Sequence, residues 1–109
     1  MDDVAPAAGP PLEFDLGHDT DGTTVVTVRG DLDIAGTDRL HEAVAPLIEQ
    51  DPTRLIVDVG ALRFADSSAI ALWVRWAASV DQLELRGASP LLRRVITTMG
   101  LDRHLGLAT

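Results

Sequence analysis

The chain has 109 residues, no cysteine and a formal net charge of −8. This length suits one small domain with a single hydrophobic core, and the lack of cysteine excludes disulfides, thiolate nucleophiles and cysteine metal sites. The charge is uneven, because residues 1–58 hold 13 acids and 3 arginines whereas residues 59–109 hold 4 acids and 6 arginines. An acidic surface repels phosphate backbones, so we expect a protein partner and no nucleic acid.

The N-terminal segment predicts neither export nor membrane insertion. No apolar stretch reaches the roughly 18 residues that a membrane span needs, and residues 1–4 are acidic where a secretory signal is basic. We therefore expect a cytoplasmic protein without direct membrane insertion. Residues 1–11 are rich in proline and alanine and carry no periodicity, which predicts a flexible tail ahead of one domain over residues 12–109.

The first ordered segment is predicted to be a β-hairpin. Residues 12–16 alternate apolar and polar side chains at the strand period, and residues 24–28 are rich in β-branched side chains. Asp21 and Gly22 between them are typical of a tight turn.

The rest of the chain alternates helical and strand patterns, which predicts an α/β domain with a mixed sheet. Apolar residues recur at the helical period in some segments and form short continuous or alternating runs in others. The predicted elements are, in order, a helix from about Gly36 or Thr37, a strand over 55–59, a helix over about 67–79, a strand over 82–87, a helix opened by Ser89 and Pro90, and a short final element within 101–107.

Two apolar patterns on the predicted helices have alternative interpretations. Trp73 and Trp76 lie three residues apart, so they either pack in the core or form a hot spot for a partner. The last helix carries a stripe that we predict to face inward, and its members are Leu91, Leu92, Val95, Ile96 and Met99.

A short polar segment, Asp66-Ser67-Ser68, follows the apolar strand and precedes the apolar second helix. Aspartate and serine are good helix-capping residues, and a helix N-terminus tolerates an anion. A phosphate there would add about −1.5 to −2 charges and could act as a switch. The alternative is that these residues only cap the helix.

Other site chemistry is not predicted. The glycines form no phosphate-binding loop, so we expect no nucleotide cofactor. The three histidines, His18, His41 and His104, lack metal-ligand spacing, and no nucleophile elbow accompanies the serines, so we expect neither a metal site nor an enzyme. The paired acids Asp31 and Asp33 are ion ligands or, alternatively, solvated or helix-capping groups.

Three stretches resemble the STAS domain, the module of bacterial anti-sigma factor antagonists. They are Gly30-Asp31-Leu32-Asp33, the strand at 55–59 with the following Asp66-Ser67-Ser68, and the segment from Ser89-Pro90 to Gly100-Leu101. The resemblance covers residues 12–107 and depends on the order and spacing of the three. It implies a single α/β domain with four to five strands in a mixed sheet, packed against about three to four helices.

The resemblance also implies a function by partner switching. The unphosphorylated antagonist would bind an anti-sigma factor with serine kinase activity and thereby free a sigma factor. The kinase would then phosphorylate the first serine after the aspartate, Ser67, with Ser68 as second choice, and a phosphatase would reset it. The implied partner surface comprises Asp31, Asp33, Asp66, Ser67, Ser68 and Ala69, and Ala69 stands where the family usually has glycine.

Two rival functions remain open from the sequence. One is a non-phosphorylated STAS subunit of a membrane lipid ABC transporter, in which the serine serves only packing. The other is a small hydrolase that uses Ser67.

Overall fold

The computed structural model describes residues 11–108, so the predicted tail lies outside the described residues except for Pro11. Secondary structure follows the predicted alternation. The elements are β1 (Glu13–His18), β2 (Thr24–Leu32), α1 (Ile34–Glu49), β3 (Arg54–Ala65), α2 (Ser67–Ser79), β4 (Gln82–Arg86), α3 (Pro90–Thr98), a 3₁₀ turn (Leu101–Arg103) and β5 (Gly106–Ala108).

The five strands form one sheet in the order β1-β2-β3-β4-β5. β1 and β2 are antiparallel and form the predicted hairpin, whereas β2, β3, β4 and β5 run parallel to one another. The hairpin turn is closed by the Asp19 N–H, which donates to the Thr23 carbonyl at 2.8 Å, and Gly22 provides its left-handed residue with φ of 87°. The predicted α/β fold with a mixed sheet is confirmed.

The hydrophobic core lies between the sheet and the helices. Val26 and Val28 of β2 are fully buried, while Thr27 and Arg29 alternate with them on the opposite face. On that opposite face Arg29 forms an ion pair with Asp15 of β1 at 2.8 Å, which raises the pKa of the guanidinium. One face of the sheet is thus covered by helices, and the other carries surface ion pairs.

Both tryptophans of α2 belong to the core, so the packing interpretation is confirmed. Trp73 is fully buried, and Trp76 is only 1% exposed. The Trp76 Nε1–H donates to His41 Nδ1 of α1 at 3.0 Å, and the two rings stack with an interplanar angle of 23°. This contact joins α1 to α2, and it supplies the buried indole N–H with an acceptor.

The boundaries of β2, α1 and β3 differ from the prediction, and β2 continues beyond the predicted 24–28 to Leu32. α1 begins at Ile34 and not at Gly36 or Thr37, because Asp33 already accepts the Gly36 N–H and starts the helix directly after β2. β3 continues well beyond the apolar run at 55–59, since its pairing with β2 extends to Ala65 through two register shifts. Both strands therefore pass into their helices through a single residue.

The inward stripe predicted for α3 is only partly correct. Ile96 is fully buried, and Leu92 and Val95 pack partly against the core. Leu91 and Met99, however, are 71% and 56% exposed. They lie at the two ends of the helix, where the core no longer covers them.

Candidate functional site

Two strand-to-helix junctions lie side by side at the carboxyl edge of the sheet. Leu32 at the end of β2 is in register with Ala65 at the end of β3. The next residue on each strand, Asp33 or Asp66, has extended ψ of −173° and is the N-cap of the following helix. The Asp66 N–H also donates to the Leu32 carbonyl at 3.3 Å, which ties the junctions together. The edge therefore presents two helix N-termini and two carboxylates.

Each carboxylate is bound to the helix it starts. Asp33 Oδ1 accepts the Gly36 N–H at 2.9 Å, and Asp66 Oδ1 accepts the Ser68 N–H at 3.0 Å. These bonds satisfy N–H groups that the first turn of a helix leaves without an intrahelical partner. Among the ion pairs of residues 11–108, none includes Asp33 or Asp66, so within these residues their carboxylates are bound by hydrogen bonds and not by a basic side chain.

The two serines differ in a way that the sequence does not reveal. The Ser68 hydroxyl donates to Asp66 Oδ1, the same oxygen that accepts its backbone N–H, and its side chain is half-buried. Ser67 is the first residue of α2 and is exposed, and no hydrogen bond of its hydroxyl occurs within the described part of the chain. Ser67 therefore offers the more accessible nucleophilic oxygen.

Asp31 is held by an arginine that the sequence analysis did not single out. Arg63 Nε lies 3.2 Å from Asp31 Oδ1, and its Nη2 lies 3.4 Å from Oδ2, across the β2–β3 pairing. The Asp31 side chain is 21% exposed and that of Arg63 is 62% exposed. The only signal in the sequence is the register of two parallel strands, which cannot be read without the strand ends.

Ala69 lies apart from the other residues of the predicted partner surface. It is fully buried, and its N–H donates to the Asp66 carbonyl at 3.1 Å. The Ala69 methyl group thus packs in the core. Asp31, Asp33, Asp66, Ser67 and Ser68 are brought together at the edge.

Apolar side chains surround this polar edge, and the sequence analysis assigned them no role at the site. Ile34 is 69% exposed and occupies on α1 the position that Ser67 occupies on α2. Phe64 is 51% exposed, and together with Leu91 it lines a cleft of about 210 Å³. The remaining lining residues are Val59, Leu62, Arg63, Ala65, Ile70, Ser89, Leu92 and Val95.

Residues 11–108 contain neither a cluster of metal ligands nor a membrane-spanning helix. That part of the chain contains no group of three or more histidine, cysteine, aspartate or glutamate side chains placed to hold a metal ion. Within the same residues, no helix has both the length and the apolar character that crossing a bilayer requires.

The sequence and the fold of this chain are similar to those of known proteins. The family model described as "Mlab, STAS domain" matches residues 17–108. This chain belongs to the STAS domain family. A similar protein is the anti-sigma-F factor antagonist RsfB of Mycobacterium tuberculosis, which is 27% identical over 92 residues, covering 82% of this chain and 75% of the relative.

Solved structures share the fold. An anti-sigma factor antagonist from Mycobacterium paratuberculosis matches with a TM-score of 0.79 at 24% identity, over 89% of this chain and 85% of its own. SpoIIAA in its unphosphorylated form matches with a TM-score of 0.70 at 26% identity, over 89% of each chain. The phosphorylated form of the Bacillus cell fate determinant SpoIIAA matches with a TM-score of 0.71 at 26% identity, over 89% of this chain and 92% of its own.

Proposed function

We propose that this STAS domain is an anti-sigma factor antagonist that is switched by phosphorylation at Ser67. In the unphosphorylated state it binds an anti-sigma factor with serine kinase activity and frees a sigma factor. The kinase phosphorylates Ser67 and ends the interaction, and a phosphatase resets the residue. The observation that carries the proposal is the exposed Ser67 hydroxyl at the start of α2, with no hydrogen-bond partner in residues 11–108.

The surroundings of Ser67 favour it over Ser68 as the phosphorylation site. A kinase needs a hydroxyl that can reach the γ-phosphate of ATP, and the Ser68 hydroxyl would first have to leave Asp66. Ser67 has no such bond to break. Asp31, Asp33 and Asp66 then form the acidic part of the partner surface, and Ser68 supports it by fixing the Asp66 carboxylate.

Electrostatics supply the switch. A phosphoserine adds about −1.5 to −2 charges, and here it directly follows the N-cap carboxylate of Asp66. The junction at Asp33, the N-cap of α1, lies beside that of Asp66. The helix N-terminus stabilises an anion by only about 0.3 to 1 kcal/mol. Burying the phosphate in an interface costs several kcal/mol through desolvation and like-charge contact. Since about 1.4 kcal/mol weakens binding tenfold, repulsion of the partner prevails.

The rival function as a transporter subunit expects a serine that serves packing and tryptophans that are free for an ATPase partner. Ser67 is exposed, however, and Trp73 and Trp76 are core residues. A hydrolase mechanism needs a base that activates Ser67. Among residues 11–108, no histidine forms a hydrogen bond with the Ser67 hydroxyl, and His41 is bonded to Trp76. Both observations favour the switch.

Phosphorylation can be tested directly. We expect an anti-sigma kinase from the same genome, incubated with this protein and ATP, to add phosphate at Ser67, and mass spectrometry of the peptide locates it. Phosphate found only on other residues, with every such kinase, would refute the switch.

Binding provides the second test. Ser67→Asp should bind the anti-sigma factor at least tenfold more weakly than Ser67→Ala in calorimetric titrations. Ser79→Asp is the matched control, because Ser79 is exposed at the opposite end of α2. It adds the same charge far from the edge and should bind like the unmodified protein. Equal affinities of Ser67→Asp and Ser67→Ala would contradict the electrostatic account.

A further inference from the structure

Apolar side chains next to Ser67 are exposed without a role in the core. Phe64 is 51% exposed at the end of β3, and Leu91 is 71% exposed in the first turn of α3. Contiguous exposed apolar surface on a small domain marks an interaction site more often than chance exposure does. Here the two side chains do not stand alone, because both line the same cleft. We call this cleft, bounded by Phe64, Leu91 and Ile70, the apolar cleft.

The apolar cleft opens onto the core. Its lining includes Val59, which is 3% exposed, and Ile70, which is 6% exposed. Its volume is about 210 Å³, and apolar cavities of about 150 Å³ accommodate a benzene ring. The apolar cleft therefore has room for one large aliphatic or aromatic side chain, but it is smaller than the usual pocket for a cofactor or drug-sized ligand.

The position of the apolar cleft connects it with the phosphorylation edge. Phe64 precedes Ser67 by three residues on β3, and Ile70 follows it by three residues in the first turn of α2. Ser67 does not line the apolar cleft, but the lining residues Phe64 and Ile70 hold the backbone of Ser67 near the rim of the cleft. A protein that covers Ser67 also reaches the opening of the cleft.

Charge identifies the kind of partner that would cover both. On the Ser67 side of the rim, Asp33 and Asp66 carry negative charge without an ion-pair partner in the described residues, and Arg63 is already paired with Asp31. The whole chain carries −8. A complementary surface is therefore basic opposite the acids and apolar opposite the cleft.

We propose that the apolar cleft receives one large apolar side chain that projects from a basic surface of the anti-sigma factor. This inference rests on the proposed function and adds the anchor of the complex. A buried apolar side chain in a pocket, surrounded by polar contacts that exclude water, is the usual form of an interface hot spot. A phosphate on Ser67 would then lie near the rim of the apolar cleft, where its charge and its bound water oppose the burial of the apolar side chain.

The test compares two exposed apolar residues at opposite ends of α3. Leu91→Ser removes a wall of the apolar cleft, and Met99→Ser makes a similar change at the other end of the helix, outside the cleft lining. Calorimetry with the anti-sigma factor that binds the wild-type protein should show at least a tenfold rise of Kd for Leu91→Ser and less than a twofold rise for Met99→Ser. Phe64→Ser should weaken binding as Leu91→Ser does, and circular dichroism should show all three variants folded.

The outcomes separate this inference from the proposed function. If Ser67→Asp weakens binding but Leu91→Ser and Phe64→Ser bind within twofold of wild type, the anchor is wrong and the switch stands. If the two cleft variants weaken binding but Ser67→Asp does not, the anchor stands and the switch is wrong. If no anti-sigma factor of the genome binds the wild-type protein, both are wrong. A wild-type dimer in sedimentation that Leu91→Ser dissociates, with unchanged affinity for the anti-sigma factor, would assign the apolar cleft to a second copy of this chain and overturn the inference.

Discussion

Substitution of Asp66, the N-cap of α2, tests both the stability of the domain and the choice of the phosphorylated serine. Asp66 accepts the Ser68 N–H at 3.0 Å and also the Ser68 hydroxyl, whereas Ser67 makes no such bond in residues 11–108. Replacing an N-cap aspartate by alanine costs about 0.5 to 2 kcal/mol, typically about 1. We expect Asp66→Ala to lower the free energy of unfolding by about 1 to 2 kcal/mol, because the favourable charge at the helix N-terminus is also lost. For a domain of this size, each kcal/mol shifts Tm by about 4 to 8 °C.

The controls follow from the same geometry. Ser67→Ala should change the free energy of unfolding by less than about 0.5 kcal/mol, since it removes an exposed side chain without a hydrogen-bond partner among the described residues. Asp66→Asn should lose only the charge contribution of about 0.3 to 1 kcal/mol, because asparagine is as good an N-cap as aspartate. Urea unfolding followed by the fluorescence of Trp73 and Trp76 measures all three, since both tryptophans lie on α2 in the core.

Asp66→Ala should also affect the choice of serine. Without the carboxylate, the Ser68 hydroxyl is released, and we expect the kinase to place part of the phosphate on Ser68. Equal stability of Asp66→Ala and Ser67→Ala would refute the assignment of Asp66 as the cap. Phosphate that remains entirely on Ser67 in Asp66→Ala would show that the kinase, and not the hydrogen bond, makes the choice.

Two further predictions concern contacts that hold the fold. Gly87→Ala should lower the free energy of unfolding by about 2 to 4 kcal/mol in urea, because the added Cβ would lie 2.8 Å from the Gly60 Cα at a φ of +79°. Gly22→Ala is the control, since Gly22 has a similar φ but open space around it, and it should cost about 1 to 2 kcal/mol. Equal losses of stability in the two variants would disprove the steric account. His41→Leu should lose about 1 to 3 kcal/mol by leaving the buried Trp76 N–H without its acceptor. His41→Asn keeps an acceptor oxygen near the position of Nδ1 and should recover part of this loss in the same assay, although asparagine is the poorer helix former.

Most of the fold could be predicted from local patterns. The Asp21-Gly22 turn between two strand-like runs predicted the hairpin, and the apolar run after Asp66 predicted α2 with the bounds that the structure has. These features depend on neighbours in the sequence, which is why they could be predicted. The second half of β3 could not, because its residues 60–65 include a glycine and an arginine and are strand only through pairing with β2.

The candidate site was predictable in composition but not in detail. The resemblance to the STAS family, and not the residue pattern, grouped Asp31 and Asp33 with the polar segment after β3. The choice between Ser67 and Ser68 depended on family resemblance, since only the structure shows which hydroxyl Asp66 holds. Helical periodicity predicts that Leu91 faces the core, but Leu91 is exposed. The periodicity indicates which residues share a face of the helix, and it does not indicate where along the helix the core ends. At the start of α3 the core ends, and Leu91 lines the apolar cleft instead.

The proposed switch at Ser67 requires no rearrangement of this domain. The junction at Ser67 is fixed by hydrogen bonds from Ser68 to Asp66 and from Asp66 to Leu32, and none of them involves the Ser67 hydroxyl. A hundredfold loss of affinity needs only about 2.7 kcal/mol. A doubly charged group next to the Asp66 carboxylate, within the proposed interface, can supply this locally.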